Sequence, residues 1–306
     1  MLRFLISRFV QGIVVIVAVL CITFVLMKLK PGGTERTERA VPEHIRHQRN
    51  IKLGLDKPAY VQLWRHIINF ATFDFPISDV TPGRGVDEII MQGFPVSATV
   101  GLAALAIALT IGVPVGALSA MRPHSLEDRA SMVGATLAIC LPSMVSAPII
   151  ALIFGLKLRW FNTSGWQDAD DWVLPALTLG IIYSAYIARL TRAGLRETLA
   201  QEFMRTARAK GASEYAIVFR HAFKLACLPL LNFLGPTAAG LLTGSIIVET
   251  VFQLPGLGQH FVNAALNGNS ELAMACAAFY AVLIVGFNLL VDVIQALVNP
   301  RIGFKA

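Results

Sequence analysis

The sequence predicts an all-α polytopic membrane protein with six transmembrane helices, and three observations support this fold class. Hydrophobic residues make up 55% of the 306 residues, and the mean hydropathy is +0.63, more than a soluble domain of this length buries. Six apolar segments are each long enough to cross about 30 Å of hydrocarbon at about 1.5 Å per residue. Arginines stand at the segment ends that would share one side of the membrane.

The net charge of +7 does not indicate nucleic-acid binding. The basic residues cluster at the ends of apolar runs, where membrane topology accounts for them. The four cysteines lie in apolar stretches without paired or metal-ligand spacing, so we interpret them as core residues. We therefore expect a lipid bilayer, and no nucleic acid, among the partners.

The first element is an N-terminal transmembrane helix within residues 1–29. Its apolar run begins near Phe9 and continues to Leu29, which is longer than a signal peptide and lacks a small-residue cleavage site. Arg3 and Arg8 place its start in the cytoplasm. Residues 30–93 are polar and interrupted by proline and glycine, so we expect an extracytoplasmic loop region.

A short charged turn separates the second and third predicted spans. The second is predicted to begin near Pro95 and to end near Ala120, and the third to cover about residues 130–158. Pro142 and Pro148 predict a kink in the third span. Three tryptophans then suggest an aromatic belt at the outer interface: Trp160, Trp166 and Trp172.

The last three spans are predicted at about residues 173–190, 226–252 and 273–298. Arg189, Arg192 and Arg196 follow the fourth span and indicate that the next loop is cytoplasmic. Six spans from a cytoplasmic start place both termini in the cytoplasm. The chain is thus expected to be a multi-pass membrane protein.

A basic island separates the fourth and fifth spans. A short helix is expected to end at Gly211, because glycine tolerates the left-handed backbone that closes a helix. Ser213 is suited to cap a second helix. An apolar stripe at helical spacing is expected along that helix: Tyr215, Val218, Phe219, Ala222 and Phe223. This unit predicts a docking surface for a partner, with a solvated basic loop as the alternative.

The same island resembles a known family motif. Arg205-Thr206-Ala207, three residues and then Gly211 is similar to the Glu-Ala-Ala-x-x-x-Gly loop of ATP-binding-cassette (ABC) importer permeases. The usual Ile-x-Leu-Pro continuation is missing, and residues 221–224 stand in its place. With this different continuation, the loop resembles that of the peptide and nickel branch of these permeases. The resemblance implies that the following residues couple the permease to its ATPase: Arg205, Thr206, Ala207, Arg208, Lys210, Gly211 and Ser213.

A second set of motifs extends the resemblance over essentially the whole chain. Residues 243–258, 288–292 and 299–301 are similar to the C-terminal third of the oligopeptide permease B subunit. The resemblance implies a type I ABC importer transmembrane core at residues 94–299, with a cytoplasmic coupling loop at 193–225. It also implies four kinds of neighbour: a homologous second permease subunit, two ABC ATPase subunits, an extracytoplasmic peptide-binding protein and the lipid bilayer. Dipeptide, nickel and other small-solute permeases share most of these motifs and remain alternatives.

No catalytic constellation is found in the sequence. The six histidines lie in different loops, and no Gly-x-x-x-x-Gly-Lys-Ser/Thr phosphate loop is present. His44 and His47 could share a metal, but solvated loop histidines are the more common case. We therefore expect a permease rather than an enzyme, with no cofactor of its own and with ATP and Mg bound by the partner ATPases.

Four polar residues inside the apolar segments are candidates for a translocation path. Glu249 lies in the fifth span, and ionisable groups there usually face a water path or a partner; a structural anchor is the equal alternative. Asn232 and Asn288 could line the path or join helices by hydrogen bonds. Asp292 is expected to have a structural ion pair. The rival class is an ion-driven secondary carrier, which would show an internal repeat; a channel is a third class that one chain does not exclude.

Overall fold

The computed structural model describes residues 2–29, 57–72, 84–267 and 269–298. Within these ranges the protein is helical, as predicted. The helices in chain order are α1 (Leu2–Leu29), α2 (Ala59–Thr72), α3 (Val86–Met121), α4 (Leu126–Cys140), α5 (Ser143–Ile150, continued by a π-helical turn Ala151–Lys157), α6 (Val173–Leu199), α7 (Glu202–Ala209), α8 (Glu214–Ala216, π-helical Ile217–Ala222 and Phe223–Ala226), α9 (Leu228–Leu242), α10 (Ile246–Val251), α11 (Leu257–Asn267) and α12 (Ser270–Val298).

Three predictions lie outside the described residues. They concern most of the loop at residues 30–93, the histidines His44 and His47, and the motif at residues 299–301. The described part of that loop contains α2, which the sequence reading did not separate from its surroundings.

The described residues contain six spans when a bent helix pair is counted as one. Five spans are long and apolar enough to cross a membrane: Ile6–Leu26, Val86–Met121, Val173–Leu199, Leu228–Val251 and Glu271–Leu297. The sixth is α4 with α5 and its π-helical turn, two segments bent by 103°. The predicted number of spans is therefore confirmed, although one span is broken rather than kinked.

The second span begins nine residues before its predicted start. Helix α3 starts at Val86, and Pro95 and Pro114 lie inside it. Asp87 and Glu88 occupy its first turn, where negative charge complements the helix dipole. In a long apolar helix a proline costs less than in water, because packing against neighbouring helices compensates for the lost hydrogen bond. The predicted start of the second span near Pro95 was therefore wrong, whereas the domain boundary at residues 93 and 94 stays a prediction.

One proline and one glycine each interrupt the helix of another span. Pro142 immediately precedes α5 at the 103° bend, whereas Pro148 is accommodated within α5. The fifth span is interrupted between α9 and α10, where Gly244 has φ +91°. Such a backbone conformation is readily available only to glycine. One continuous fifth helix was thus an incorrect expectation.

The centre of the fold is the pair α3 and α6, which make the most extensive contact in the described chain. Small residues bring their backbones together. A Cβ atom added to Gly112 would lie 2.6 Å from the carbonyl oxygen of Ser184 and 2.8 Å from the Cβ of Ile187. Close approach through small residues is the usual way in which helices associate in lipid.

Helix α1 lies at the periphery, where it packs mainly on α12. Arg8 Nε of α1 lies 3.2 Å from Asp292 Oδ2 of α12. This ion pair is the structural role that was expected for Asp292. The fold therefore consists of a compact α3–α6–α9–α12 core with α1 attached at one side.

Candidate functional site

The basic island forms a helix–glycine–helix unit, residues 202–226. Helix α7 ends at Ala209, and Gly211 follows with φ +81°. The Ser213 hydroxyl accepts a hydrogen bond from the Ala216 amide at 3.3 Å and caps α8. The helix end at the glycine and the serine cap are both as predicted.

The unit is held to the core by a small apolar cluster. Met204 of α7 and Ile217 and Ala222 of α8 are completely buried. They pack with Ala117 of α3 and Leu195 of α6. The inner face of the unit is therefore fixed to the two central helices of the fold.

The predicted apolar stripe on α8 is divided between two faces. Val218 is buried, whereas Tyr215 and Phe219 are 69% and 45% exposed, with ring centroids 4.6 Å apart. The π-helical stretch Ile217–Ala222 explains the error, because its i→i+5 bonding changes the angle between successive residues from the α-helical value. As a result Ile217 faces the core, and an aromatic pair faces outward.

The predicted coupling residues mostly share the outer face. Six of the seven are exposed: Arg205, Thr206, Arg208, Lys210, Gly211 and Ser213. Ala207 instead is half-buried and belongs to the inner cluster. Arg208 Nε donates to Glu214 Oε1 at 3.0 Å, which bridges the two helices across Gly211. An exposed ion pair of this kind contributes at most about 1 kcal/mol, so the backbone at Gly211 dominates the geometry of the turn.

Glu249 lies in a hydrogen-bonded cage at the start of α11. Its side chain is buried, and the residue is 2% exposed. Ser97 Oγ of α3 donates to Glu249 Oε1 at 2.6 Å, and the Gln259 amide donates to Oε2 at 2.9 Å. Ser97 Oγ also accepts from the Leu257 amide at 2.8 Å. The carboxyl group thereby joins α3, α10 and the N-terminus of α11, where backbone amides favour an acceptor.

Glycines make room for this cage. Around the carboxyl group stand Gly244, Gly256 and Gly258, and a Cβ atom at any of them would come within 3.0 Å of it. A side chain at these positions is thus excluded by Glu249 itself. The arrangement favours the anchor among the two roles considered for Glu249, while its role in a path or gate stays a prediction.

Asn232 and Asn288 lie at a different place, where α9 meets α12. Gln295 Nε2 donates to Asn232 Oδ1 at 2.7 Å, which is an inter-helix hydrogen bond of the expected alternative kind. Asn288 packs against Gly235 and lines a cavity of about 180 Å³ together with Arg8. The two asparagines therefore share a helix interface with each other and not with Glu249.

Only one of the three tryptophans of the predicted belt is strongly exposed. Trp160 is 62% exposed, whereas Trp166 and Trp172 pack against the core cluster. Asp171 organises the loop that carries them. Burial opposes its ionisation, yet hydrogen bonds from the Asp168 amide, the Asn162 side chain and the Gln167 amide lower its pKa overall.

A buried ion pair that sequence reasoning missed lies beside the helix–glycine–helix unit. Arg192 of α6 donates from Nε to Asp128 Oδ1 at 2.6 Å and from Nη2 to Oδ2 at 2.8 Å. The Ser119 hydroxyl also donates to Oδ1, and the His124 amide donates to Oδ2 at 3.0 Å. The Ser125 hydroxyl accepts from the Asp128 amide at 3.1 Å, so the two residues form a helix cap. The pattern Ser125-x-x-Asp128 was a signal for that cap, but nothing in the sequence pointed to Arg192.

Comparison with known proteins gives two matching family models. One, described as "Binding-protein-dependent transport system inner membrane component", matches residues 112–304. The other, described as "Binding-prot-dependent transport system membrane comp, N-term", matches residues 1–79. Together they cover the first span, the end of the second, the bent pair and the helix–glycine–helix unit.

Full-length relatives are also found. The chain is 36% identical over 306 residues to the oligopeptide transport system permease protein OppB of Haemophilus influenzae, covering 99% of this chain and 100% of the relative. The OppB of Salmonella typhimurium is 36% identical with the same coverage. The dipeptide transport system permease protein DppB of Bacillus subtilis is 34% identical over 302 residues, covering 99% and 98% of the two chains.

Two solved structures share the arrangement of helices. One is a crystal structure of an amino acid ABC transporter with histidines, with a TM-score of 0.53 and 20% identity, covering 68% of this chain and 92% of that one. The other is an inward-facing form of the MetNI methionine ABC transporter, with a TM-score of 0.57 and 20% identity, covering 69% and 96%. At this identity the likeness concerns the fold.

Proposed function

The chain belongs to the family of inner membrane components of binding-protein-dependent transport systems, and on this basis we propose that it is one permease subunit of an ATP-driven ABC importer for oligopeptides. Its fold is the type I ABC importer transmembrane domain. The observation that carries the proposal is the 36% identity over the full length of a permease named for oligopeptide transport.

The proposed complex contains four kinds of partner. These are a homologous second permease subunit, two ABC ATPase subunits, an extracytoplasmic peptide-binding protein and the lipid bilayer. The two solved structures of similar fold are described as ABC transporters, which supports a partner ATPase. ATP and Mg bind to those ATPase subunits in the proposal, and this chain supplies no catalytic residue.

The outer face of the helix–glycine–helix unit is the proposed contact with an ATPase subunit. Arg205, Thr206, Arg208 and Lys210 are exposed there, next to the aromatic pair Tyr215 and Phe219. Because the inner face packs on α3 and α6, a push on the outer face is transmitted to the central helices as a rigid-body movement. Closure of the ATPases thereby moves the unit and switches the cavity between the two permease subunits between outward and inward access.

The path through this subunit is proposed to involve Asn288, Asn232 and the region that Glu249 holds in place. Asn288 lines a cavity, and Asn232 is exposed on α9 with one hydrogen bond to Gln295. Glu249 acts in this proposal by fixing the α10–α11 turn rather than by contact with peptide. A homologous second subunit would complete the cavity.

Reconstitution tests the function. The chain is co-expressed with its partner subunits, purified as a complex and placed in proteoliposomes, with the binding protein and a labelled pentapeptide on one side and ATP on the other. Uptake that requires ATP and persists after an ionophore collapses ion gradients supports the importer and excludes the secondary carrier. Uptake driven by an ion gradient without ATP would contradict the proposal.

Dipeptide transport is the alternative that the match to DppB favours. Competition in the same proteoliposomes separates the two substrate classes. An unlabelled pentapeptide should inhibit uptake more strongly than an unlabelled dipeptide at equal concentration. The reverse order would identify a dipeptide importer and leave the ABC mechanism intact.

The proposed orientation places both termini and the helix–glycine–helix unit in the cytoplasm of a bacterial cell, and α2 outside its inner membrane. Arginines beside the fourth span support this orientation. Single cysteines at Tyr60 and Arg208, both exposed, are treated with a membrane-impermeant maleimide in intact spheroplasts of a variant without native cysteines. Position 60 should react and position 208 should react only after lysis. Labelling of position 208 alone before lysis would reverse the topology.

A further inference from the structure

The ion pair between Asp128 and Arg192 joins the beginning of α4 to α6, the helix that leads into the helix–glycine–helix unit. Asp128 begins α4, and its side chain is 4% exposed; Arg192 belongs to α6, and its side chain is 22% exposed. The contact is bidentate, which fixes the direction of the guanidinium as well as its distance. With the Ser119 hydroxyl and the His124 amide, all four groups form what is here called the Asp128 clamp.

The clamp attaches the N-terminal end of α4 to α3 and α6. Of the residues in Leu126–Cys140, Asp128 and Ala135 are buried. Beyond the clamp, a cavity of about 170 Å³ separates α4 from α3 and α6, lined on the α4 side by Ser131, Gly134 and Ala138 among others. A Cβ atom at Gly134 would meet nothing within 4 Å. Helix α4 is therefore attached at its N-terminal end by the clamp and borders a cavity in its middle, where Ala135 is buried.

The other end of the bent pair, helix α5, packs in the apolar cluster beside α10. After the 103° bend, Ala147 and Ile150 of α5 are buried in one cluster with Val248 and Phe252, which flank Glu249 along the chain. The bent pair thus runs from the Asp128 clamp to the α10 segment held by the Glu249 cage. It is a continuous connection between the two regions on which the proposed function depends.

Arg192 connects this pair to the helix–glycine–helix unit. It lies about two turns before the end of α6, and α7 begins three residues after that end. A displacement of the unit that turns or shifts α6 as a rigid body necessarily carries the guanidinium of Arg192 with it.

We propose that the Asp128 clamp is a coupling joint. Through its ion pair with Asp128, Arg192 makes the N-terminal end of α4 move together with α6, so that movement of the helix–glycine–helix unit is transmitted to the bent pair α4–α5. Asp128 and Arg192 are positioning residues in this proposal and touch no substrate. The inference rests on the proposed function for its transport readout. The physical basis is that a buried charge pair resists separation, because each charge would be left without a partner.

The first test uses the whole reconstituted complex. Asp128→Asn keeps the shape of the side chain and removes its charge. Membrane insertion and co-purification of the ATPases should remain, while peptide uptake per ATP hydrolysed falls at least about fivefold, the lower end of typical coupling effects. Arg122→Gln is the matched control, since the Arg122–Glu127 ion pair lies in the same turn at 3.0 Å but is exposed at both side chains, 70% and 64%. Wild-type uptake per ATP in Asp128→Asn would overturn the proposal.

Two milder variants keep the test decisive if Asp128→Asn does not assemble. Arg192→Lys retains the charge but loses the bidentate geometry, and Ser119→Ala removes one hydrogen bond to Asp128. Each should assemble and lose part of the coupling, Arg192→Lys more than Ser119→Ala. Wild-type uptake per ATP in both would show that the clamp serves folding only, which contradicts the proposal.

A distance measurement separates failure of the joint from failure of the proposed function. Spin labels are placed at Val133 on α4, 59% exposed, and at Leu225 on α8, 38% exposed, in a complex without native cysteines. The distance distribution should stay narrow without nucleotide and with ATP plus vanadate, and should broaden in Asp128→Asn. An equally narrow distribution in Asp128→Asn would refute the joint. Absence of ATP-dependent uptake in the wild-type complex would instead refute the importer, since the distance measurement needs no substrate.

Discussion

Removal of the Glu249 carboxyl group should destabilise the fold measurably. Glu249→Ala leaves the Ser97 hydroxyl and the Gln259 amide without their acceptor. An unsatisfied buried donor costs about 1–3 kcal/mol. The hydroxyl can turn and the Gln259 amide is only partly buried, so we expect a total loss of about 3 kcal/mol in the free energy of unfolding. Glu249→Gln keeps one acceptor and should lose about 1 kcal/mol.

Unfolding in mixed detergent micelles with increasing SDS measures this loss. Intrinsic fluorescence is a local reporter, because Trp166 and Trp172 pack on the cluster that contains Val248 and Phe252, on either side of Glu249. Thr250→Ala is the matched control. Thr250 is the next residue and is exposed, so its truncation should change stability by no more than about 0.5 kcal/mol.

Two results would refute the reasoning about Glu249. If Glu249→Ala unfolds at the same SDS fraction as the wild type, the cage does not anchor α10 and α11. If Glu249→Gln unfolds normally but abolishes uptake in proteoliposomes, the carboxyl group acts in the path or gate and the anchor interpretation is wrong.

Two further predictions concern glycines. Gly211→Val places a branched side chain at φ +81° and should introduce about 1–3 kcal/mol of local strain, so that the complex inserts into the membrane but retains less ATPase on purification. The control Ala209→Val changes an exposed helical position in the same unit and should have little effect. Equal ATPase retention in both variants would remove the glycine from the mechanism. Gly112→Ala forces a methyl group against the Ser184 carbonyl oxygen and Ile187 and should lower the free energy of unfolding by about 1–3 kcal/mol. The control is Gly134→Ala, which adds a methyl group where the space is open. Equal stability of the two variants would contradict close packing between α3 and α6.

The sequence was sufficient for features that depend on neighbouring residues. The number of spans followed from hydropathy, and the helix ending before Gly211 and its successor capped by Ser213 followed from local backbone preferences. The helix end and the cap involve residues within a few positions of each other, and a span is one continuous segment, so no contact between distant parts of the chain is needed for any of them.

Helix boundaries were less predictable, since packing overrides local preference. Pro95 was interpreted as a helix start but lies inside α3, whereas Pro142 stands at a 103° bend. Both are prolines in apolar segments, and the sequence does not distinguish them. Neighbouring helices decide whether a proline is accommodated or terminates the helix. The π-helical stretch in α8 likewise moved Ile217 to the core and Phe219 to the surface.

The sequence by itself determined which segments are long and apolar enough to cross the membrane and where the basic unit interrupts them, because both depend on transfer of side chains between water and lipid. Tertiary structure alone decided what the buried charges do. Asp128 meets Arg192 across 64 residues, and Glu249 meets Ser97 across 152. A buried carboxyl group requires partners wherever the fold can bring them, and helix periodicity contains no information on which distant helix supplies them.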